Sequence, residues 1–398
     1  MKGKDLFSAL IVLGMLLGGI LLVHPEEAAA ASQHAVVCTY ASDWSSGAHD
    51  VAWVDPIGKT RAIKKNLLPT ISDIQVAAYG RYFYRIERYS GDNITKFDIA
   101  KPSVPIWQFS TLDTTDTVTS NPLDIVFASA TKAYVIRNNS TKAWIVNPNA
   151  KVESKFKIGE LDLSAYADSD GLPEMQCGVV ADGKFFLVLQ RLNRNKSWVP
   201  SNTPYLAVFD VKTGKEIKTN SKALKLLGIP LPIKTPRIIQ YLKANDTIYI
   251  SGYGTRPGTG NPKYEYTGGI VTVNPKTYKV KMLLNDGTAT KHPYGAFWGM
   301  SIASKTKGYF VGYTAWGNNT LYKFNPTTGK VLGKVGQGLS NINIAGYDSS
   351  VNQVDKNKMV WISDATNARV VILNTVTDKV DARVKTGLNP ARVVFVSP

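Results

Sequence analysis

The sequence predicts an all-β fold, a seven-bladed β-propeller built from four-stranded antiparallel blades, and three observations lead to it. A short phrase containing an Asn or Asp, a Thr and a Lys recurs along the chain. Two further strand signals precede each copy, and with the two strands that flank the phrase they make four per repeat. The two ends of the chain each carry an incomplete repeat. Self-similarity of this kind is typical of propellers and other repeat proteins.

The repeated phrase has the composition of a β-hairpin turn. Its clearest copies are residues 273–280, 324–331 and 373–380. The Asn or Asp side chain at its start can accept hydrogen bonds from the amides that follow. Gly329 and Asp378 occupy positions where a left-handed residue is expected. With degenerate copies counted, the seven anchors are Asp55, Asp98, Asn147, Asp210, Asn274, Asn325 and Asn374.

The two incomplete repeats complement each other. The first repeat begins near His34 and lacks an innermost strand, whereas residues 391–396 form such a strand with no repeat after it. We expect the C-terminal strand to complete the N-terminal blade and close the ring, because closure removes exposed sheet edges. Residues 32–398 are therefore predicted to form a single propeller domain.

The repeat resembles the YVTN-type, quinoprotein-like family of seven-bladed propellers. The hairpin phrases and the strand Tyr134-Val135-Ile136 carry this resemblance, which spans about residues 34–398. It implies the architecture and says little about function, because such propellers serve as binding proteins, lyases and dehydrogenases. Two of the repeats here exceed 60 residues, and few strands match the family signature in full.

The N-terminal residues 1–31 have the features of a bacterial-type signal peptide. Lys2 and Lys4 form a basic start, residues 6–23 are apolar, and the alanines at 28–31 offer a cleavage site. We expect an exported protein, secreted, periplasmic or on the cell surface, with no transmembrane anchor after cleavage. The alternative is an uncleaved anchor, because 18 apolar residues nearly span a bilayer.

The chain is strongly basic. Its formal net charge is +17, and removal of the two lysines and three acids of residues 1–31 makes it +18. Such a field attracts polyanions, so we expect an anionic polymer or protein at the cell surface as partner, non-specific binding of nucleic acid at most, and a monomer. The alternative is that lysines at hairpins and strand edges prevent edge-to-edge pairing.

The two cysteines are predicted to be free thiols. Cys38 falls on the second strand of the first blade and Cys177 on the innermost strand of the fourth. These blades lie on opposite sides of the ring, whereas bonded cysteines need Cα atoms within about 7 Å of each other. Both are expected to pack as small hydrophobic side chains.

The longest insertions of blades four and five fall on the face opposite the repeated hairpins. Insertions confined to one face of a repeat protein often mark the binding face. Basic and aromatic side chains alternate in these loops, which suits phosphate, carboxylate or sugar rings. The residues are Arg191, Arg194, Lys196, Trp198, Arg256, Tyr264 and Tyr266. The main functional prediction is therefore an exported binding or scaffold protein that engages an anionic partner here; the alternative is that these aromatics anchor the loops.

A second candidate site is a polar ring at the mouth of the central channel. It comprises Asp73, Asp124, Glu174, Arg237, Asn343 and Arg392, with His292 and Trp298 beside them. Such a ring could hold a small polar ligand or a metal, or it could be a water-filled mouth with paired charges. Carboxylates such as Asp124 and Glu174 could perform acid–base chemistry. The alternative functional prediction is thus a lyase or hydrolase that uses Asp124, Glu174, Asp73 and Arg237.

The composition excludes several cofactors. Only His34, His49 and His292 remain after residue 31, too few for an iron centre with four histidine ligands, and no haem-attachment motif occurs. Asp168 and Asp170 faintly suggest calcium, but Tyr166 and Cys177 stand at the first and last ligand positions of an EF-hand loop. We therefore predict no cofactor and favour a binding protein over an enzyme; no residue specifically supports docking of a quinone.

Overall fold

A computed structural model describes residues 32–222, 225–255, 265–315, 318–335, 339, 342–343 and 352–398 of the chain. Residues 32–398 form one compact unit. Its strands are arranged in seven four-stranded antiparallel sheets, each the blade of a propeller, which confirms the predicted fold.

The strands follow the predicted order, and the blades are numbered from the N-terminus. Blade one contains β1 (His34–Tyr40), β2 (Gly47–Trp53) and β3 (Ile63–Thr70), and blade two contains β4 (Ile74–Tyr79), β5 (Tyr82–Glu87), β6 (Asn93–Asp98) and β7 (Pro105–Ser110). Blade three contains β8 (Pro122–Ser129), β9 (Lys132–Arg137), β10 (Lys142–Val146) and β11 (Lys157–Asp162), and blade four β12 (Met175–Ala181), β13 (Lys184–Leu189), β14 (Tyr205–Asp210) and β15 (Ile229–Pro230). Blade five contains β16 (Pro236–Leu242), β17 (Thr247–Gly252), β18 (Gly269–Val273) and β19 (Val280–Asn285), and blade six β20 (Ala296–Ile302), β21 (Gly308–Ala315), β22 (Asn318–Phe324) and β23 (Val331–Val335). Blade seven contains β24 (Ile342–Asn343), β25 (Met359–Asp364), β26 (Arg369–Asn374) and β27 (Val380–Lys385), and the last strand is β28 (Asn389–Val396).

The last strand closes the ring as predicted. β28 pairs antiparallel with β1, with His34 opposite Val396 and Val37 opposite Val393. It is the innermost strand of blade one, in the sheet order β28-β1-β2-β3.

The repeated phrase forms the connection between the third and fourth strands of the blades. Asn325 Oδ1 accepts hydrogen bonds from the amides of Thr327 and Thr328 at 2.9 and 3.1 Å. Asn274 and Asn374 accept equivalent pairs. Gly329 and Asp378 adopt φ angles of 76° and 57°, so both predicted left-handed positions are confirmed.

Blade four departs from this pattern. After its anchor Asp210, the chain pairs only locally, with Glu216 opposite Phe209, and the fourth strand β15 forms at residues 229–230. Residues 218–236, which separate this local pairing from blade five, therefore contain the fourth strand. Proline at position 230 cannot donate to a ladder, which suits a short edge strand.

Apolar side chains of neighbouring blades form the core. One cluster, for example, joins Tyr134 and Ile136 of blade three to Phe185 and Leu187 of blade four. Both cysteines are buried, and neither forms a disulfide bond, as predicted. Burial raises the pKa of the Cys38 thiol to about 11. In the described part of the chain, helix is limited to five 3-10 turns, Glu153–Lys155, Ser164–Tyr166, Arg194–Lys196, Lys243–Asn245 and Ala365–Asn367. None of the described helices has the length and apolar character needed to cross a membrane.

Candidate active site

A cavity of about 420 Å³ lies among the innermost strands of blades one to four. Its walls come from residues 77–79 of β4, 124–127 of β8, 178–180 of β12 and 394–395 of β28, with Asn352 completing them. Asp124 is the only carboxylate among the described residues that line it. The cavity is the place where a small molecule could meet a reactive side chain.

Asp124 forms an ion pair across the centre of the ring. Its Oδ1 accepts a hydrogen bond from the amide of Ile125 at 2.9 Å and lies 3.3 Å from Nη1 of Arg392. Arg392, fully buried on β28, also donates to the carbonyl of Val76 at 3.1 Å. Two predicted ring residues are thus brought together, and their charges pair, as in one of the alternatives above.

The other carboxylates of the predicted ring do not line the cavity. Asp73 precedes β4 and keeps 43% of its side chain exposed, where it pairs with Arg88 at 3.5 Å. Glu174 precedes β12, and its side chain is completely buried beneath the loop that follows β13. Asp73, Asp124 and Glu174 therefore do not form one carboxylate ring around the channel.

Glu174 is the most perturbed carboxyl group of this region. Its backbone has a φ of 45°, a left-handed conformation that is uncommon for a residue other than glycine. Burial raises its pKa to about 8, although Arg194 opposes the shift. Its two oxygens accept hydrogen bonds from the amide of Leu192 at 2.8 Å and from Nε of Arg194 at 2.9 Å.

Arg194 ties blades three and four together. In addition to Glu174, its guanidinium donates to Asn139 Oδ1 at 2.8 Å and to both the carbonyl and Oδ1 of Asn138 at 3.1 Å. The ring of Trp198 lies 4.5 Å from its charge. These contacts occupy the guanidinium, so Arg194 is a structural residue and not a free anion-binding group.

The remaining basic residues of the blade-four loop differ in their surroundings. Arg191 donates to the carbonyls of Tyr166 and Thr203 at 2.8 and 3.2 Å. Lys196 is exposed at the end of a 3-10 turn. Of the predicted blade-five residues, Arg256 and Tyr264 lie outside the described residues.

Arg237 and Trp298 lie at equivalent irregularities of two innermost strands. The register of β16 shifts around Arg237 and that of β20 around Trp298. Bulges of this kind re-aim a side chain and are frequent near active sites. Both residues reach Tyr253, Arg237 at 5.1 Å from its ring and Trp298 with 5.5 Å between ring centroids. The Asn343 side chain lies outside the described part of the structure.

His292 and Tyr266 stack on each other, with ring centroids 4.0 Å apart. Next to them lies Asp286, a fully buried carboxyl group that the sequence does not single out. It accepts a hydrogen bond from the amide of Gly268 at 3.0 Å, and burial raises its pKa to about 6. No repeat position or motif marks Asp286, so only the structure could find it.

Asp168 and Asp170, the weak calcium candidates, accept hydrogen bonds from the protein itself. Asp170 receives them from the amides of Leu172 and Arg194 at 3.0 and 2.7 Å. Asp168 receives them from the amide of Asp170 and the side chain of Asn202. Within the described ranges, no group of three or more His, Cys, Asp or Glu side chains could hold a metal ion.

Comparison with known proteins supports the same fold. No family model matches the chain, and no curated protein does. A protein from Lactobacillus plantarum has a similar structure, with a TM-score of 0.61, 11% identity and coverage of 92% of this chain and 99% of the other. The periplasmic gluconolactonase PpgL of Pseudomonas aeruginosa has a TM-score of 0.59 and 13% identity, with coverage of 92% of this chain and 99% of the other. A putative 6-phosphogluconolactonase from Bacteroides fragilis has a TM-score of 0.58 and 10% identity, with coverage of 92% of this chain and 98% of the other. At these identities the similarity shows the propeller fold.

The prediction of a binding module that engages an anionic partner through blades four and five is wrong. Two of these similar structures are named as lactonases and not as polymer-binding proteins. In the blade-four loop, the guanidinium of Arg194 is already bound by Glu174, Asn138 and Asn139, and that of Arg191 by backbone carbonyls. Arg194 lies against one face of the Trp198 ring, and 43% of the tryptophan is exposed.

Sequence reasoning also missed the residues that immobilise Arg194. Asn138 and Asn139 lie in the loop after β9, at the position in blade three that corresponds to the start of the blade-four loop. The sequence offers one signal for this contact, namely two adjacent amide side chains in blade three followed by a long insertion in blade four. Their contact with a residue more than 50 positions away could not be read from spacing.

Proposed function

We propose that the protein is a hydrolase that opens a cyclic ester, a lactone, in the central cavity, with Asp124 as the reacting carboxylate. The observation that carries the proposal is the position of Asp124, the one carboxylate on the described wall of a cavity of about 420 Å³. The names of the two lactonases of similar fold suggest the reaction class to test first.

The chemistry requires a base and a fixed geometry. Asp124 accepts a proton from a water molecule while the water oxygen attacks the lactone carbonyl carbon. The ring C–O bond then breaks, and the departing oxygen takes up the proton, so that the product is a hydroxy acid. Arg392, 3.3 Å from Asp124 and fully buried, holds the carboxylate in place and stabilises negative charge that develops nearby.

The test is an assay of residues 32–398 against a panel of sugar, alkyl and aryl lactones. Asp124→Asn is expected to lower kcat/KM about 100-fold or more, the usual loss when a general base is removed. The matched control is Asp73→Asn, which changes a carboxylate at the start of the neighbouring innermost strand but outside the cavity wall, and which should keep its activity.

Two results would contradict the proposal. One is a wild-type protein that hydrolyses no member of the panel. The other is an Asp124→Asn variant that retains wild-type activity. Thermal unfolding of each variant separates loss of chemistry from loss of structure, since Asp124→Asn leaves Arg392 with a weaker partner.

We also propose, on the hairpin phrase alone, that the chain derives from the YVTN-type repeat family, and, on residues 1–31, that it is exported.

A further inference from the structure

The repeated hairpin places one lysine of each blade on the same face of the propeller. This lysine follows the Asx anchor by three to five residues. The seven residues are Lys59, Lys101, Lys151, Lys215, Lys279, Lys330 and Lys379, and all seven are exposed. We refer to them as the lysine ring.

The lysine ring and the turns between first and second strands share this face, which we call the hairpin face. Lys307, in such a turn of blade six, binds Asp378 in the hairpin of blade seven at 2.8 Å. Thr327 of a hairpin donates to the carbonyl of Lys305 at 2.7 Å. The ring is therefore a surface in which every blade takes part.

None of the seven lysines of the lysine ring forms an ion pair in the described part of the chain, whereas many other basic residues do. Lys101 lies close enough to Asp98 to lower the pKa of that carboxyl group but does not pair with it. Four acids on the same face are already bound by other bases. The pairs are Asp98 with Arg81, Asp55 with Lys356, Asp246 with Lys276, and Asp378 with Lys307 and Lys323.

The first described residues also lie on the hairpin face. The carbonyl of Gln33 accepts a hydrogen bond from the amide of Val54, just before the first hairpin. Its side-chain Oε1 accepts one from the amide of Lys356, in a turn of blade seven. The polypeptide thus enters the propeller on the hairpin face, downstream of the apolar stretch 6–23.

We propose that the hairpin face docks on the surface of a bilayer rich in anionic phospholipid. Seven basic charges around one face of a ring can all meet a planar anionic surface at once, whereas a linear polyanion reaches only part of the ring. Basic groups near such a surface are attracted to its headgroups within about a Debye length. Docking in this way leaves the opposite face, with its loops, open to solvent. This inference does not depend on the proposed hydrolase activity.

The test is co-sedimentation of residues 32–398, which contain the complete ring, with vesicles. Vesicles of phosphatidylglycerol and phosphatidylcholine are expected to bind the protein, vesicles of phosphatidylcholine alone are not, and added salt should weaken binding. The triple variant Lys101→Gln, Lys279→Gln and Lys330→Gln should bind on the order of 100-fold more weakly, because each lysine contributes about fivefold.

The matched control removes the same charge elsewhere. Lys65→Gln, Lys196→Gln and Lys291→Gln change three exposed lysines outside the hairpins, and this variant should bind nearly as well as wild type. Equal loss in both variants would show that only net charge matters and would overturn the proposal. Failure of anionic vesicles to bind would also overturn it, as would equally tight binding of soluble polyphosphate with the same dependence on the lysine ring.

Discussion

Glu174 combines three features that each disfavour the folded state. It is fully buried, has a left-handed backbone and carries a carboxyl group whose pKa is raised to about 8. Its hydrogen bonds from Leu192 and Arg194 fix the loop that covers it. The residue therefore holds the blade-four loop against the ring.

The raised pKa of Glu174 makes the stability of the protein depend on pH. In the folded state the group binds a proton up to about pH 8, whereas in the unfolded chain it loses the proton near 4.5. The stabilisation of the folded state by proton binding at Glu174 is fully present below pH 4.5 and is lost as the pH rises through 8. It amounts to about 1.4 kcal/mol for each unit of difference between the two pKa values. We expect Glu174→Gln to flatten the decline in free energy of unfolding between pH 5 and 8.

Urea unfolding at several pH values measures this effect. His49 provides the contrast, because burial lowers its pKa to about 4. The stabilisation of the folded state by neutral His49 is lost in the opposite direction, as the pH falls from 6.5 towards 4. A Glu174→Gln variant whose stability falls between pH 5 and 8 as steeply as that of wild type would show that the carboxyl group is ionised in the folded protein.

At this scale the sequence predicted which residues matter better than how they are arranged. Asp124 was identifiable because it starts an innermost strand, yet its partner Arg392 lies 268 positions away. Glu174 lies just before the innermost strand of the next blade, where it corresponds to Asn121 and not to Asp124, and its side chain lies beneath the loop after β13. Side-chain direction depends on long-range contacts that a single sequence does not contain.

The hairpin is the element in which sequence and structure agree most closely. Its Asx side chain replaces the missing partners of two turn amides, and a left-handed residue completes the reversal. Both requirements are local, and the hairpins of Asn274, Asn325 and Asn374 meet them in full. Asp55, in a degenerate copy, binds Asn357 and Lys356 instead. Blade four departs from the pattern where an insertion separates the anchor Asp210 from the fourth strand β15.

Two substitutions in the hairpin of blade six should separate these requirements. Asn325→Ala removes the acceptor for two amides and is expected to lower the free energy of unfolding by about 1 kcal/mol. Gly329→Ala should cost more, about 2 kcal/mol, because φ is 76° and the new Cβ would lie 2.1 Å from the carbonyl oxygen of Leu283.

The control for both is Val376→Ala, a hairpin residue of blade seven with 73% of its surface exposed. It should change stability by less than about 0.5 kcal/mol. Chemical denaturation followed by tryptophan fluorescence measures all three. Equal effects of Asn325→Ala and Val376→Ala would mean that the Asx hydrogen bonds contribute nothing to the hairpin.

The molecule as a whole depends on a seam between its first and last blades. The sequence predicted this closure, because one end of the chain lacked a strand that the other supplied. It gave no indication of the polar contacts that hold the seam. Asp50 of β2 accepts hydrogen bonds from the amides of Asn66 and Gly387, both at 2.7 Å. Asp381 of β27 binds Arg61 of blade one at 2.6 Å.

The Arg61–Asp381 pair tests how much the seam contributes. The Arg61 side chain is fully buried, so removal of its partner leaves a buried charge without compensation. We expect Asp381→Ala to lower the free energy of unfolding by about 3 kcal/mol. By contrast, Arg81→Ala breaks its pair with Asp98, in which Arg81 is 48% exposed, and it should cost less than about 1 kcal/mol.

Hydrogen exchange shows which strands lose stability in the Asp381→Ala variant. If the ring opens at the seam, Asp381→Ala will speed the exchange of amides in β1, β27 and β28 before those of blades three to five, because strands that lose a neighbour unfold locally first. The Arg81→Ala variant should exchange like wild type throughout. Uniform acceleration in all blades of Asp381→Ala would mean that the propeller unfolds as one unit and that the seam is no weaker than any other junction between blades.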